Sequence, residues 1–162
     1  MESTLISAHT WFLESYSQGP YGSLQIRLVE GIKGADRAPV EVAGQLMGHY
    51  FPVTIEPHSR CVIVSFQDVR GLFTFPEGYD TTDRKLALDD GRFVRKVHAS
   101  AFRDFASETT TGIEDFRGEY TEWLVWTEEQ VFQVLAGEPP VVSIDDRKPD
   151  TSIERGQTWS AS

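Results

Sequence analysis

The chain has 162 residues, of which 40% are apolar and 12% aromatic, and its 25 acidic side chains outweigh 15 basic ones for a formal net charge of −10. That length suits one domain with a substantial core, and the composition is too rich in core-forming side chains for a disordered chain. The acidity disfavours nucleic acid and anionic membranes as partners, and no apolar run approaches the roughly 20 residues that cross a bilayer.

Met1 to Thr10 shows no basic stretch leading into an apolar one, so no secretory signal is expected and a soluble, cytoplasmic protein is. Leu24-Gln25-Ile26-Arg27-Leu28 then alternates apolar with polar residues, the period of a strand with one face on a core. Phe51-Pro52-Val53-Thr54-Ile55-Glu56 repeats the period, and Pro52, which has no N–H to donate, points to an edge or a bulge. Cys61-Val62-Ile63-Val64-Ser65-Phe66 is apolar almost throughout and reads as a strand buried on both faces. Leu72-Phe73-Thr74-Phe75 follows, ended by Pro76-Glu77-Gly78, and Arg92 to His98 is entered through the turn pair Asp90-Gly91. Tyr120 to Trp126 is a further strand.

Two helices are expected among these strands. Ser100 is placed to cap a helix within Ala99 to Thr109, with Phe102 and Phe105 facing inward. Thr127-Glu128-Glu129-Gln130 fits a capping box opening a second helix, whose Val131, Val134 and Leu135 share a face and which Gly137, Pro139 and Pro140 stop. Val141 to Ile144 reads as a last strand, and the residues from Arg147 as a polar tail in which Trp159 alone invites docking. The expected fold is mostly β (α+β), an antiparallel sandwich or partly open barrel with one or two packed helices, as one domain over residues 1–146 with a tail over 147–162.

Charge is unevenly spread. Residues 1–106 hold 13 acids and 11 bases, whereas residues 107–146 hold 10 acids and only Arg117. Ordinary solvated surfaces mix signs, so this segment predicts a surface that meets a basic partner, formed by Glu114, Asp115, Glu119, Glu122, Glu128 and Glu129 with Trp123 as an exposed aromatic anchor. That placement of Trp123 follows if Leu124 and Trp126 pack inward. Solvation and helix capping are the plain alternative for the same acids.

Other chemistry has less to stand on. Cys61 lies in an apolar strand where a thiolate is disfavoured, and being the single cysteine it excludes an internal disulfide and a thiolate zinc site. His9, His49, His58 and His98 show no ligand spacing, and Asp80, Asp83, Asp89 and Asp90 lack the pattern of a calcium loop, so no metal or cofactor is expected. No nucleophile elbow, phosphate-binding loop or dinucleotide turn is present in the sequence. Arg92, Arg95, Lys96 and Arg103 make one basic patch, suited to pairing internally with the acids.

Leu28-Val29-Glu30-Gly31, the run from Cys61 to Phe66, and Trp126-Thr127 leading to Gly137-Glu138-Pro139-Pro140 give the chain a layout that resembles small, acidic bacterial proteins, most of unassigned function and some of them immunity proteins that neutralise toxins. The resemblance implies a non-catalytic, inhibitor-like protein-binding role and carries no functional residue over. A purely structural or assembly role, with an edge strand bearing Pro52 or the tail joining subunits, stays open, and so do two other classes. One is a small-ligand or carbohydrate-binding β domain with Trp123, Tyr120 or Phe75 as a stacking platform beside a concave sheet, and the other a hydrolase whose pocket converges on His98 or His58.

Overall fold

The chain is described over residues 2–79, 82–110, 112 and 118–162 by a computed structural model. In order it forms α1 (Glu2–Ile6), β1 (Thr10–Gln18), β2 (Leu24–Lys33), β3 (Ala38–Val42), β4 (Gln45–Thr54), β5 (Cys61–Phe66), β6 (Val69–Pro76), β7 (Ala87–Leu88), β8 (Val94–Ala99), α2 (Ala101–Thr109), β9 (Thr121–Trp126), β10 (Gln130–Ala136), β11 (Val141–Asp145) and β12 (Thr158–Ser160). A seven-stranded antiparallel sheet runs β11-β5-β2-β4-β12, with β1 on β2 and β3 on β4, and a five-stranded antiparallel sheet runs β6-β10-β9-β8-β7. The mostly β, sandwich-like class expected from the sequence is what forms.

Alternation decides which side chains fill the space between the sheets. From the larger sheet Trp11, Leu24, Ile26, Leu28, Val62, Val64 and Phe66 point inward, and Phe93, Val125, Phe132, Val134 and Ala136 meet them from the smaller one. Each Val, Leu, Ile or Phe among them contributes roughly 1.5–3 kcal/mol by leaving water. Leu5 and Ala8 close one end of this core, where the indole N–H of Trp11 donates to the Leu5 carbonyl at 3.0 Å.

The outer faces are partly covered. The smaller sheet carries two satellite clusters outside, Val97, Leu124 and Val131 in one and Ala106, Tyr120 and Leu135 in the other, sheltered by α2 and by Leu86 and Leu88. The part of the larger sheet around Phe12 and Arg27 is covered by the residues after β11. The stretch read as a free tail crosses back: Arg155 lies against Glu129 and over the Phe12 ring, and β12 pairs with β4, Trp159 opposite Pro52.

Under this strap sits a charged cluster. Arg27, on β2, is 8% exposed; its side chain meets Glu14 and Asp145, and its guanidinium also donates to the carbonyls of Arg147 at 3.1 Å and Lys148 at 3.2 Å. Glu14 is the extra residue between Leu13 and Ser15 where the β1–β2 register shifts, a bulge that re-aims its side chain. Hydrogen bonds and charge from Arg147 and Arg27 hold the Asp145 carboxyl far below the usual carboxylate range.

Four expectations need correction. The helix after Thr127 is a strand: Thr127 to Gln130 turns the chain from β9 into β10, with the Thr127 hydroxyl accepting from the Gln130 N–H at 2.9 Å while the Thr127 N–H donates to the Gln130 carbonyl at 3.0 Å. The same Thr-x-x-Gln pattern serves a side-chain-closed turn, and a seven-residue, mostly apolar segment is too short to be told from a helix by spacing alone. The capping of α2 by Ser100 does form, its hydroxyl accepting from the Arg103 N–H at 2.9 Å, but Phe105 is 62% exposed rather than inward. Trp123 and Val125, not Leu124, face the inter-sheet core. Glu122 is wholly buried, so it is not on a surface.

Removing one member of a buried ion cluster strands the others without water. Arg27→Ala should therefore destabilise the fold by about 3–5 kcal/mol in urea titration, and an unfolding midpoint equal to the wild type's would show that Arg27 bears no such load.

Candidate functional site

The described acids among those singled out in the sequence do not gather into one face. Glu114 and Asp115 lie outside the described residues, and Glu119 is exposed beyond α2. Glu128 accepts from the Thr10 hydroxyl, and Glu129 accepts from the Leu13 N–H at 2.7 Å and pairs with Arg155, so the turn between β9 and β10 is fastened to β1 of the other sheet. Burial pushes the Glu129 carboxyl above its ordinary value against these partners. Trp123 is half-buried against the main core.

Glu122 lies instead on the outer side of the five-stranded sheet, beneath the start of α2. One carboxylate oxygen accepts from the Ser100 hydroxyl at 2.6 Å and the other from the Gln133 amide at 2.9 Å. Ser100 thus caps α2 and anchors it to β9 at once. Burial pushes the Glu122 carboxyl above its ordinary value, although both hydrogen bonds and the nearby Arg103 favour the charged form.

Gln133 links this pair to a groove on that face. The groove, of about 930 Å³, runs between β6 and α2, lined by Phe73, Phe75, Phe102 and Phe105, with Gln133 in its lining and Tyr79 to one side. Its origin is local. Phe73 and Phe75 are two apart on β6 and so share a face, opposite Gln133 and Val131 of β10. Phe102 and Phe105 are three apart on α2 and so neighbour one another on the helix. The Phe73 ring lies 5.3 Å from that of Phe75 and 5.7 Å from that of Phe102, within the range of favourable aromatic pairs. Phe73 is 46% exposed and Tyr79 70%, so together with Phe105 they form an apolar surface open to solvent rather than a sealed core.

Charged groups border it. Asp83 accepts from the Lys85 N–H at 2.9 Å and the Ala101 N–H at 2.8 Å, tying the approach segment to the first turn of α2. Lys85 reaches Asp104 of α2 at 2.6 Å, which holds its ammonium above its ordinary pKa. Arg84 is exposed at the same rim.

The other candidates do not converge here. His98 is half-exposed and pairs with Asp89, and neither it nor His58 lines the groove. Tyr120 is buried under α2 with the Arg103 guanidinium over its ring, and of the three aromatics named as a stacking platform Phe75 alone lines the groove. Among the described residues no cluster of His, Cys, Asp and Glu could hold a metal ion, and no helix is long and apolar enough to cross a membrane. Burial pushes the Cys61 thiol up, which disfavours the nucleophilic thiolate.

Fold and groove together define an antiparallel two-sheet sandwich with a ligand-sized aromatic groove on an outer face. No family model matches the chain, and no curated protein and no solved structure is significantly similar to it.

A carboxyl whose value is raised in the folded chain stabilises the fold below its ordinary value, and that contribution is lost as pH rises through the raised one. Glu122→Gln keeps the shape and removes the ionisation. As pH rises above the ordinary carboxylate range the wild type should therefore lose melting temperature relative to this variant, and parallel melting profiles would contradict the assignment.

Proposed function

We propose that this protein is a non-catalytic binding domain that takes a small, largely apolar molecule into the groove between α2 and the outer face of the five-stranded sheet. One observation supports the reading above the others: four phenylalanine rings and Tyr79 line a concavity of about 930 Å³. Pockets of roughly 300–1,000 Å³ with apolar linings and few polar groups are the usual form of small-molecule sites. Leaving these rings in water costs free energy that a bound apolar body recovers.

The protein-binding reading, in which an acidic face grips a basic partner as an immunity protein would, has less in its favour. Of the acids it names, Glu122 is buried and Glu128 and Glu129 are spent on contacts within the chain. A hydrolase would need an activated group in the groove; among the described residues the lining Asp83 and Lys85 are engaged by backbone N–H groups and by Asp104, and Glu122 stands behind Gln133 with no exposure.

The neutral fluorophore N-phenyl-1-naphthylamine should bind at one site with enhanced emission. Phe105→Asp, at an exposed position, should weaken that binding at least about tenfold with the circular dichroism spectrum unchanged, since a charge in an apolar site is poorly solvated. Equal affinity in this variant would place the fluorophore elsewhere and refute the groove.

A further inference from the structure

The rim charges of the groove are unequal in what they have left to offer. Asp83 is engaged by the backbone N–H groups of Lys85 and Ala101, and Lys85 and Asp104 neutralise each other. Arg84, which lies between Asp83 and Lys85 in sequence and lines the same groove, has no hydrogen bond or ion pair among the described residues. Its guanidinium is thus an uncommitted cation beside an aromatic trough. A guanidinium presents paired N–H donors that fit the two oxygens of a carboxylate.

We propose that the ligand of the groove is an amphipathic carboxylate, its hydrocarbon body laid along Phe73, Phe75, Phe102 and Phe105 and its anionic head against Arg84. The inference rests on the groove being the binding site. Charge complementarity selects this occupant over a neutral or cationic one of the same shape: a cationic head would face Arg84, while among the described residues Asp104 already holds Lys85 and Asp83 already accepts two N–H groups. The chain's net charge of −10 repels anions at long range, so the preference is set locally, and it is screened by salt over about 8–10 Å.

The test is displacement of N-phenyl-1-naphthylamine by decanoate, decanol and decyltrimethylammonium, on the full chain and on Arg84→Glu. Decanoate should compete about five- to tenfold more strongly than decanol, the return on one charge-assisted contact at a half-open rim. The ammonium should be the weakest competitor. Arg84→Glu should reverse the order of decanoate and the ammonium, each read against the fluorophore bound to the same variant. Equal competition by decanoate and decanol on the wild type would overturn the anionic-head assignment and leave the groove intact as the site. Loss of fluorophore binding in Arg84→Glu would also overturn it, since Arg84 would then be shaping the groove. Failure of the fluorophore and of all three competitors to bind would remove the groove reading and this inference together.

Discussion

Arg27 stands on β2, the strand that pairs with β1, β4 and β5, on the side of the sheet away from the main core. A guanidinium there is tolerable only with its hydration replaced. The replacements come from both ends of the chain: Glu14 from a bulge in β1, Asp145 from the end of β11, and two carbonyls from the strap. Satisfying one charge therefore fixes the path of the C-terminal residues across the larger sheet. That path brings Arg155 to Glu129 and Phe12 and delivers β12 to β4, so the layer that shields this sheet follows from the cluster beneath it.

The concentration of acid in residues 107–146 takes a different meaning in this light. Several of those acids are partnered by groups distant in sequence, Asp145 by Arg27 and Glu129 by Arg155, while Glu128 accepts from Thr10 and Glu122 is enclosed. A segment without its own bases can still be paired in space, because strands from opposite ends of the chain lie side by side. Local charge counts measure separation along the chain and not neutralisation in the fold. The buried carboxyls also incur a desolvation cost that Ser100, Gln133, Leu13 and Arg155 only partly offset, and this is why Glu122 and Glu129 are shifted upward.

Much of the architecture was legible where one principle acted alone. The run from Cys61 to Phe66 is apolar because β5 is enclosed by β2, β11 and the two layers around them, and Ser100 announces α2 through its hydroxyl. The reading failed where two structures share one pattern. Val131, Val134 and Leu135 fit a helical stripe, yet β10 places Val134 on one face and Val131 and Leu135 on the other, burying both. Of the site, the shared face of Phe73 and Phe75 follows from alternation, and the adjacency of Phe102 and Phe105 from helical spacing. That these two pairs meet across β6 and α2 is a tertiary fact carried by no local signal. The strap was missed for the same reason, since a polar, Pro-containing stretch gives no sign of the buried arginine that it serves.

The strap also bears on how the molecule is made. Arg27 and Asp145 are 118 residues apart, and a ribosome adding roughly 5–20 residues per second leaves about 6–24 s between their appearances. During that interval β1, β2, β4 and β5 can pair, but Arg27 and Glu14 have only each other and water, and the outer face around Phe12 and Val29 stays uncovered. Nascent chains of this protein thus pass through a stage in which the larger sheet exists without its cover, a window in which a chaperone that grips exposed apolar strands would find a substrate.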